Sequence, residues 1–217
     1  MNTNETVPAR DQIRVWDPLV RLFHWSLVAA FAIAWLTGDE ESRLHEFAGY
    51  TVIGLVLFRV LWGFVGTKHA RFRDFACRPS TVLAYARDLL AGKARRYLGH
   101  NPLGGVMIIA LLLSLLVTGV TGMALLGAKE GRGPLAGVAT NTVTLTPAVI
   151  SKAVADDDGE GEHEGAESAW GEVHEFFANL TLLLVVLHVA GVIMGSLAHR
   201  ENLVRAMFTG RKRAQIP

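Results

Sequence analysis

The sequence predicts an all-α membrane protein, a bundle of four transmembrane helices with both termini cytoplasmic. Three observations predict it. The 217 residues are 51% hydrophobic and 19% charged, whereas a soluble domain carries about 25% charged residues. The apolar residues fall into four blocks, about 19–37, 47–65, 103–126 and 176–197, each near the roughly 20 residues that cross a bilayer core. The connections between the blocks alternate in charge. Lipid offers no partner to an open backbone N–H or C=O, so each block must close its own bonds as a helix. Four buried helices of a soluble bundle would carry polar stripes, and these blocks lack them.

The chain opens on a polar stretch, MNTNETVPARDQIRVWDPLVR, with no apolar core of its own. That is not a secretory signal peptide, and the first block is expected to act as an uncleaved signal anchor. Asp39, Glu40 and Glu41 follow that block and face only Arg43. After the second block, residues 67–102 carry Lys68, Arg71, Arg73, Arg78, Arg87, Lys93, Arg95 and Arg96 against Asp74 and Asp88. Within them PSTVLAYARDLLAG reads as a short amphipathic helix, and Pro79 suits its first position. Leu83, Tyr85 and Leu90 are its apolar contacts with membrane or bundle. Residues 128–173 form a long acidic loop. TNTVTLTPAVIS reads as a short ordered element, and the run DDDGEGEHEGAE from Asp156 as a mobile one. The tail beyond Leu197 carries Arg200, Arg205, Arg211, Lys212 and Arg213 against Glu201. Basic connections stay cytoplasmic, so the first and third helices run outward and the second and fourth return. The 128–173 loop is then outside.

Eight histidines must be sorted, and two of them carry most information. His174 and His188 lie fourteen residues apart in HEFFANLTLLLVVLHVAGVIMG. Fourteen steps of about 100° return to within about 40° of the starting direction and rise about 21 Å. Both rings therefore share one face at two depths. His24, in the first block, lies in the inner part of the membrane. His45 opens the second block near the outer surface. By depth, His45 pairs with His174 outside and His24 with His188 inside. A planar haem iron with two imidazole ligands needs one histidine on each side at matching depth, and these pairs supply that. Histidines inside a membrane are otherwise rare and functional. Two other readings of the same residues are hydrogen bonds that bridge helices and a zinc site. Zinc would gather about four ligands at one point, whereas these form two separated pairs.

Arg59 follows His45 by fourteen residues and shares its helix face at the depth of the inner pair. A buried cation needs an anionic partner, which propionates of an inner haem would supply; snorkelling to nearby headgroups is the alternative. Gly49, one turn after His45, leaves room for a planar ring beside that ligand. Gly54, Gly63, Gly119, Gly122, Gly191 and Gly195 also fall in or near the blocks, where close helix packing explains small residues. His69 and His100 flank the basic segment and fit two readings equally: contact with a propionate or quinone headgroup, or ordinary interfacial residues. His163 reads as solvated and His199 as interfacial. Trp16, Trp25, Trp35, Trp62 and Trp170 fall mostly toward block ends, as interfacial belts do. Cys77 is the one cysteine, which excludes a disulfide framework and an iron–sulfur cluster. No CxxCH is present, so covalent c-type haem is excluded. No glycine-rich nucleotide motif follows a strand. The basic runs flank membrane blocks, so anionic lipid, rather than nucleic acid, is their partner.

The chain resembles the bacterial cytochrome b561 family, specifically its four-helix di-haem members, which include the b-type cytochrome subunits of nickel–iron hydrogenases. The resemblance rests on VWDPLVRLFHW at 15–25, LHEFAGY at 44–50, RVLWGFVGTKHARFRDF at 59–75, GHNPLGG at 99–105, HEFFANLTLLLVVLHVAGV at 174–192 and HRENLVRAMFTGRKR at 199–213. It covers nearly the whole chain, which reads as a single membrane domain, 1–217. It implies two non-covalent b-type haems (heme b), with His24, His45, His174 and His188 as iron ligands. It further implies electron transfer in the bacterial inner membrane between a periplasmic redox partner and the quinone pool. The acidic outer run is an insertion relative to the shortest members. Such a run would attract a basic periplasmic protein such as a cytochrome c, or serve only as a solvated loop.

Other functions fit the same architecture. A superoxide:quinone oxidoreductase would place a basic funnel at its outer face, and the acidic outer residues weigh against one. A hydrogenase membrane anchor would co-purify with an iron–sulfur subunit. A small-solute transporter would show no haem, and the chain lacks the inverted repeat many transporters carry. A homodimer is compatible with all of these.

Overall fold

The computed structural model describes residues 12–38, 42–139 and 160–214, with the side chains of 138–139 and 160–168 excepted. Four helices are long and apolar enough to cross a membrane. They are α1 (Pro18–Leu36), α2 (Arg43–Val65), α5 (Pro102–Glu130) and the Ala169–Ala198 part of α7 (Glu160–Ala198). Only 11–28% of the apolar stretch of each is buried within the protein. Leu22, Leu36, Phe47, Leu61, Phe64, Val65, Phe176 and Leu197 are exposed, a surface that suits lipid and not water.

Each helix start has a local cause. Asp17 Oδ1 accepts the Val20 N–H at 2.9 Å, so Asp17 caps α1, and Pro18 takes its first position. Ser42 Oγ accepts the His45 N–H at 3.2 Å before α2, and Asn101 Oδ1 accepts the Gly104 N–H at 2.7 Å before α5. The basic connection holds a 3₁₀ turn (Lys68–Ala70), α3 (Phe72–Phe75) and α4 (Pro79–Leu90). The expected amphipathic helix is thus present, with Pro79 at its start. Tyr85 turns inward, while Leu83 and Leu90 are exposed. α6 (Ala136–Ala139) follows α5, and α8 (Leu203–Thr209) follows α7.

One expectation needs correction. The 128–173 segment is not loop throughout: α5 continues to Glu130, and α7 begins at Glu160, inside the acidic run. Glutamate and alanine favour helix, and carboxylates are stabilised near a helix N-terminus. The segments expected as TNTVTLTPAVIS and Asp156–Asp158, and residues 39–41, lie outside the described residues. The sequence also gave no hint of a two-stranded ribbon. β1 (Gln12–Arg14) pairs antiparallel with β2 (Arg211–Arg213), Gln12 opposite Arg213. Gly210 closes α8 at φ 75°, and a Cβ there would lie 2.6 Å from the Trp16 carbonyl oxygen. Only glycine fits that turn.

The chain divides into two compact units. The first comprises Met1–Val28, Leu57–Ile109 and Val186–Pro217. Its core gathers Val15, Trp16 and Ala206 with Ile13 and Met207, and Arg96 Nη2 donates to Glu201 Oε1 at 2.8 Å and to the Arg213 carbonyl at 2.6 Å. The second comprises Ala29–Val56 and Ala110–Val185. There Ala124 and Ala128 pack with Leu135 and Trp170, and Arg132 donates to both Glu46 oxygens at 2.9 and 2.6 Å.

Candidate functional site

The second unit brings His45 of α2 and His174 of α7 together. Their ring centres are 6.2 Å apart and their planes nearly perpendicular, at 87°. His45 Nδ1 lies 2.9 Å from the Ala34 carbonyl oxygen, and His174 Nδ1 lies 3.0 Å from that of Thr118. A carbonyl only accepts, so each Nδ1 carries the proton and each Nε2 keeps its lone pair for a ligand. The histidines do bridge helices, but through Nδ1, and that bond fixes the tautomer a metal requires.

The first unit brings His24 of α1 and His188 of α7 together, with ring centres 6.5 Å apart. The Trp25 ring meets His24 edge-on at 5.0 Å. His24 Nδ1 is buried with no hydrogen-bond partner. In neither pair do the two rings hydrogen-bond each other among the described residues. A metal–imidazole bond of about 2 Å, with the ring centre about 1 Å further on, separates two rings across one ion by about 6 Å. Both pairs have that spacing. No group of three or more histidine, cysteine or acidic residues among the described residues is arranged to hold a metal, so the donors come in twos, as a planar four-nitrogen macrocycle needs and a tetrahedral zinc site does not.

Arg59, in the first unit, is 3% exposed. Its Nη2 donates to the Ala70 carbonyl at 3.0 Å, its guanidinium lies 5.4 Å from the centre of the Phe72 ring, and Nη1 is buried without a partner. It therefore does not snorkel to solvent. An unpaired buried N–H of a cation is costly and fits an anionic group such as a propionate. A Cβ on Gly49, which is half-buried, would meet nothing within 4 Å, whereas the same openness at Gly54 and Gly191 is that of an exposed helix surface. The donors, the orphaned guanidinium N–H and the space beside Gly49 together fit b-type haem.

The two open histidines separate. His69 Nδ1 pairs with Asp74 Oδ2 at 2.8 Å. The His100 ring lies 4.5 Å from Trp16 and 4.8 Å from Phe75, with Nδ1 shielded and unpartnered. Burial, then the charges of Arg59, Lys212, His69 and His188, push its pKa down to about 3. His100 is therefore half-buried, its ring packed against Trp16 and Phe75. Trp16 is buried, at 7% exposure, and not part of a belt.

Sequence reasoning missed the residues that hold His174. On α5, Thr121 Oγ1 stands 3.3 Å from His174 Nδ1, and a Cβ on Gly122 would come within 3.0 Å of His174 Cε1. Ser114 Oγ and Thr181 Oγ1 meet at 2.6 Å, and Thr118 Oγ1 reaches Thr181 Oγ1 at 3.1 Å. The available signal was Ser114, Thr118 and Thr121, hydroxyls at helical spacing in an otherwise apolar run.

The model of the family described as prokaryotic cytochrome b561 matches residues 15–210. The chain is 27% identical over 159 residues to a protein of Azotobacter chroococcum mcd 1 named a probable Ni/Fe-hydrogenase B-type cytochrome subunit, covering 59% of this chain and 65% of that protein. Proteins of the same name from Azotobacter vinelandii (27% over 158 residues; 59% and 65%) and Rhodobacter capsulatus (26% over 160 residues; 59% and 60%) are similar. The chain thus spans 60–65% of the length of these relatives. No solved structure matches it. Four helices long and apolar enough to cross a membrane, two facing histidine pairs and a family match over most of the chain converge, and the chain belongs to the prokaryotic cytochrome b561 family.

Proposed function

We propose that the chain carries electrons across the bacterial inner membrane through two bis-histidine b-type haems, between a periplasmic redox partner and the quinone pool. His45 and His174 hold one haem, His24 and His188 the other. The observation that supports this reading is the ring separation in the two pairs, 6.2 and 6.5 Å, close to the roughly 6 Å of two imidazoles that share one metal ion. Bound there, haem supplies a one-electron iron couple.

The chain's own residues do the rest. The paired imidazoles would hold the iron from both sides and so shield it from oxygen. The Ala34 and Thr118 carbonyls orient His45 and His174 through their Nδ1 protons. Arg59, whose Nη1 is buried without a partner, would hold a propionate of the haem at His24 and His188, and Gly49 leaves space beside His45. The basic 67–102 segment and C-terminal tail keep the connections and both termini cytoplasmic. The His45–His174 site then faces the periplasm, where a redox protein such as a cytochrome c docks, and quinone reacts at the other face. The names of the similar proteins favour a second reading, a haem-bearing membrane anchor of a hydrogenase-like complex; its mark is co-purification with an iron–sulfur subunit.

The test is an oxidised and dithionite-reduced visible spectrum of the detergent-purified protein, with a pyridine haemochrome count. Two low-spin b haems per chain are expected. Well-folded protein without haem, expressed with adequate haem supply, overturns the proposal.

A further inference from the structure

The two histidine pairs differ in what their Nδ1 atoms meet. His45 and His174 each donate to a main-chain carbonyl, at 2.9 and 3.0 Å, and Thr121 Oγ1 offers His174 a further acceptor at 3.3 Å. Thr121 keeps its own hydrogen on α5, donating to Val117 and Thr118 carbonyls at 2.9 and 3.0 Å, which turns a lone pair to His174. His24 Nδ1 is buried without a partner, and no carbonyl or hydroxyl among the described residues holds the His188 ring as Thr118 and Thr121 hold that of His174. An imidazole whose N–H donates to oxygen is the more basic, more electron-rich ligand. Electron-rich ligands favour the oxidised metal.

Charge acts in the same direction. The unit of His24 and His188 buries the cations Arg59 and Lys212, 3% and 6% exposed, against the carboxylate of Asp17, while its other buried carboxylate, Glu201, is paired with Arg96. Buried positive charge favours an added electron. Beside His45, Glu46 is neutralised by the two-pronged bond from Arg132.

The acceptors on His174 are themselves held. Thr181, fully buried, donates to the Phe177 carbonyl at 2.8 Å and accepts from Ser114 at 2.6 Å. Thr118 Oγ1 lies 3.1 Å from the same Thr181 oxygen. This bolt fixes the register of α5 against α7 at the level of His174. A helix that contributes no ligand therefore sets how one ligand is held.

On the di-haem reading above, we infer that Thr121 and the Thr118 carbonyl, bolted by Thr181 and Ser114, are positioning groups that lower the reduction potential of the His45–His174 site below that of the His24–His188 site. With haem bound, the first site would give up an electron more readily than the second, the first being oxidised as the second is reduced. No proton or further reactant enters that transfer.

The test is a potentiometric titration of the holoprotein in detergent, followed in the visible α-band. Two waves are expected, separated by at least a tenfold difference in oxidised-to-reduced ratio, about 59 mV for one electron. Thr121→Val should move the lower wave upward and leave the upper wave in place, with two haems per chain retained. Thr121→Ser should restore the original lower wave. Thr181→Val should move the same wave and change the low-spin electron paramagnetic resonance signal of that site alone. A single wave, movement of the upper wave, or two unmoved waves in both valine variants overturns the inference while leaving the di-haem reading intact. Absence of haem from the unsubstituted protein overturns both.

Discussion

Thr67 donates its hydroxyl hydrogen to Asp17 Oδ2 at 2.6 Å, joining the residue that caps α1 to the one just beyond α2. Trp62 Nε1 donates to the same oxygen at 3.3 Å, while the other oxygen caps the helix. One carboxylate thus caps the start of α1 and ties it to side chains at the end of α2. Asp17→Ala removes the cap and strands two donors, and should cost about 1–2 kcal/mol, read as a lower thermal midpoint in detergent. Burial pushes the Asp17 pKa up, but the bonds from Thr67, Val20, Trp62 and Leu19 outweigh it and leave it below 3.8. This contribution is therefore complete above pH 3.8 and is lost as pH falls through the lowered value. Asp17→Asn should lose that acid-side dependence.

Each histidine pair stands or falls as a unit. Alanine at His45 or His174 should remove mainly one haem, and alanine at His24 or His188 mainly the other, with the pyridine haemochrome count falling from two to one. Loss of neither haem from any of the four variants would sink the assignment. Arg59→Gln should weaken haem retention by about 10-fold at the His24–His188 site and spare the other, as measured by competition with a haem-scavenging apoprotein.

The glycines near the His45–His174 pair should respond differently to bulk. At Gly122 a Cβ would press on His174 Cε1 at 3.0 Å, so Gly122→Val should tilt the ring and perturb that site's low-spin spectrum even before haem is lost. At Gly49 nothing stands within 4 Å. Gly49→Leu should therefore leave apoprotein thermal stability within about 1 kcal/mol while lowering the haem count. A large side chain tolerated there with both haems present would refute the role given to that space.

His100 should make stability depend on pH. Its folded pKa is depressed from 6.5 to about 3 by burial and then by Arg59, Lys212, His69 and His188. Between those values the unfolded chain binds a proton that the folded one refuses. Stability from this group is therefore full above pH 6.5 and declines as pH falls toward about 3. His100→Phe keeps a ring between Trp16 and Phe75 and should flatten that decline, measured as thermal midpoint against pH.

The four helices and the histidine pairing were legible because both are periodic. A helix fixes direction and depth from residue number alone, so His174 and His188 could be placed before any neighbour was known. From the sequence alone Arg59 fits burial and snorkelling alike, and its contacts with Ala70 and Phe72 favour burial. What stayed hidden depends on which helices touch. Thr118, Thr121, Ser114 and Thr181 look like isolated hydroxyls until α5 meets α7. β1 and β2 show no alternation, since QIR and RKR are short and mostly polar, and their pairing joins segments nearly 200 residues apart. The acidic run was read by charge when its glutamates and alanines also favour helix.

The ribbon has a mechanical consequence. Gln12 sits opposite Arg213, and Arg14 opposite Arg211, so the loose end of each strand lies beside that of its partner. A pull applied to the two ends of the chain meets this ribbon first and loads its hydrogen bonds one at a time, as a zip opens from its free end, and not together in shear. Force spectroscopy should therefore record an early, weak event before any helix is drawn from the bilayer, and deletion of residues 211–213 should erase it.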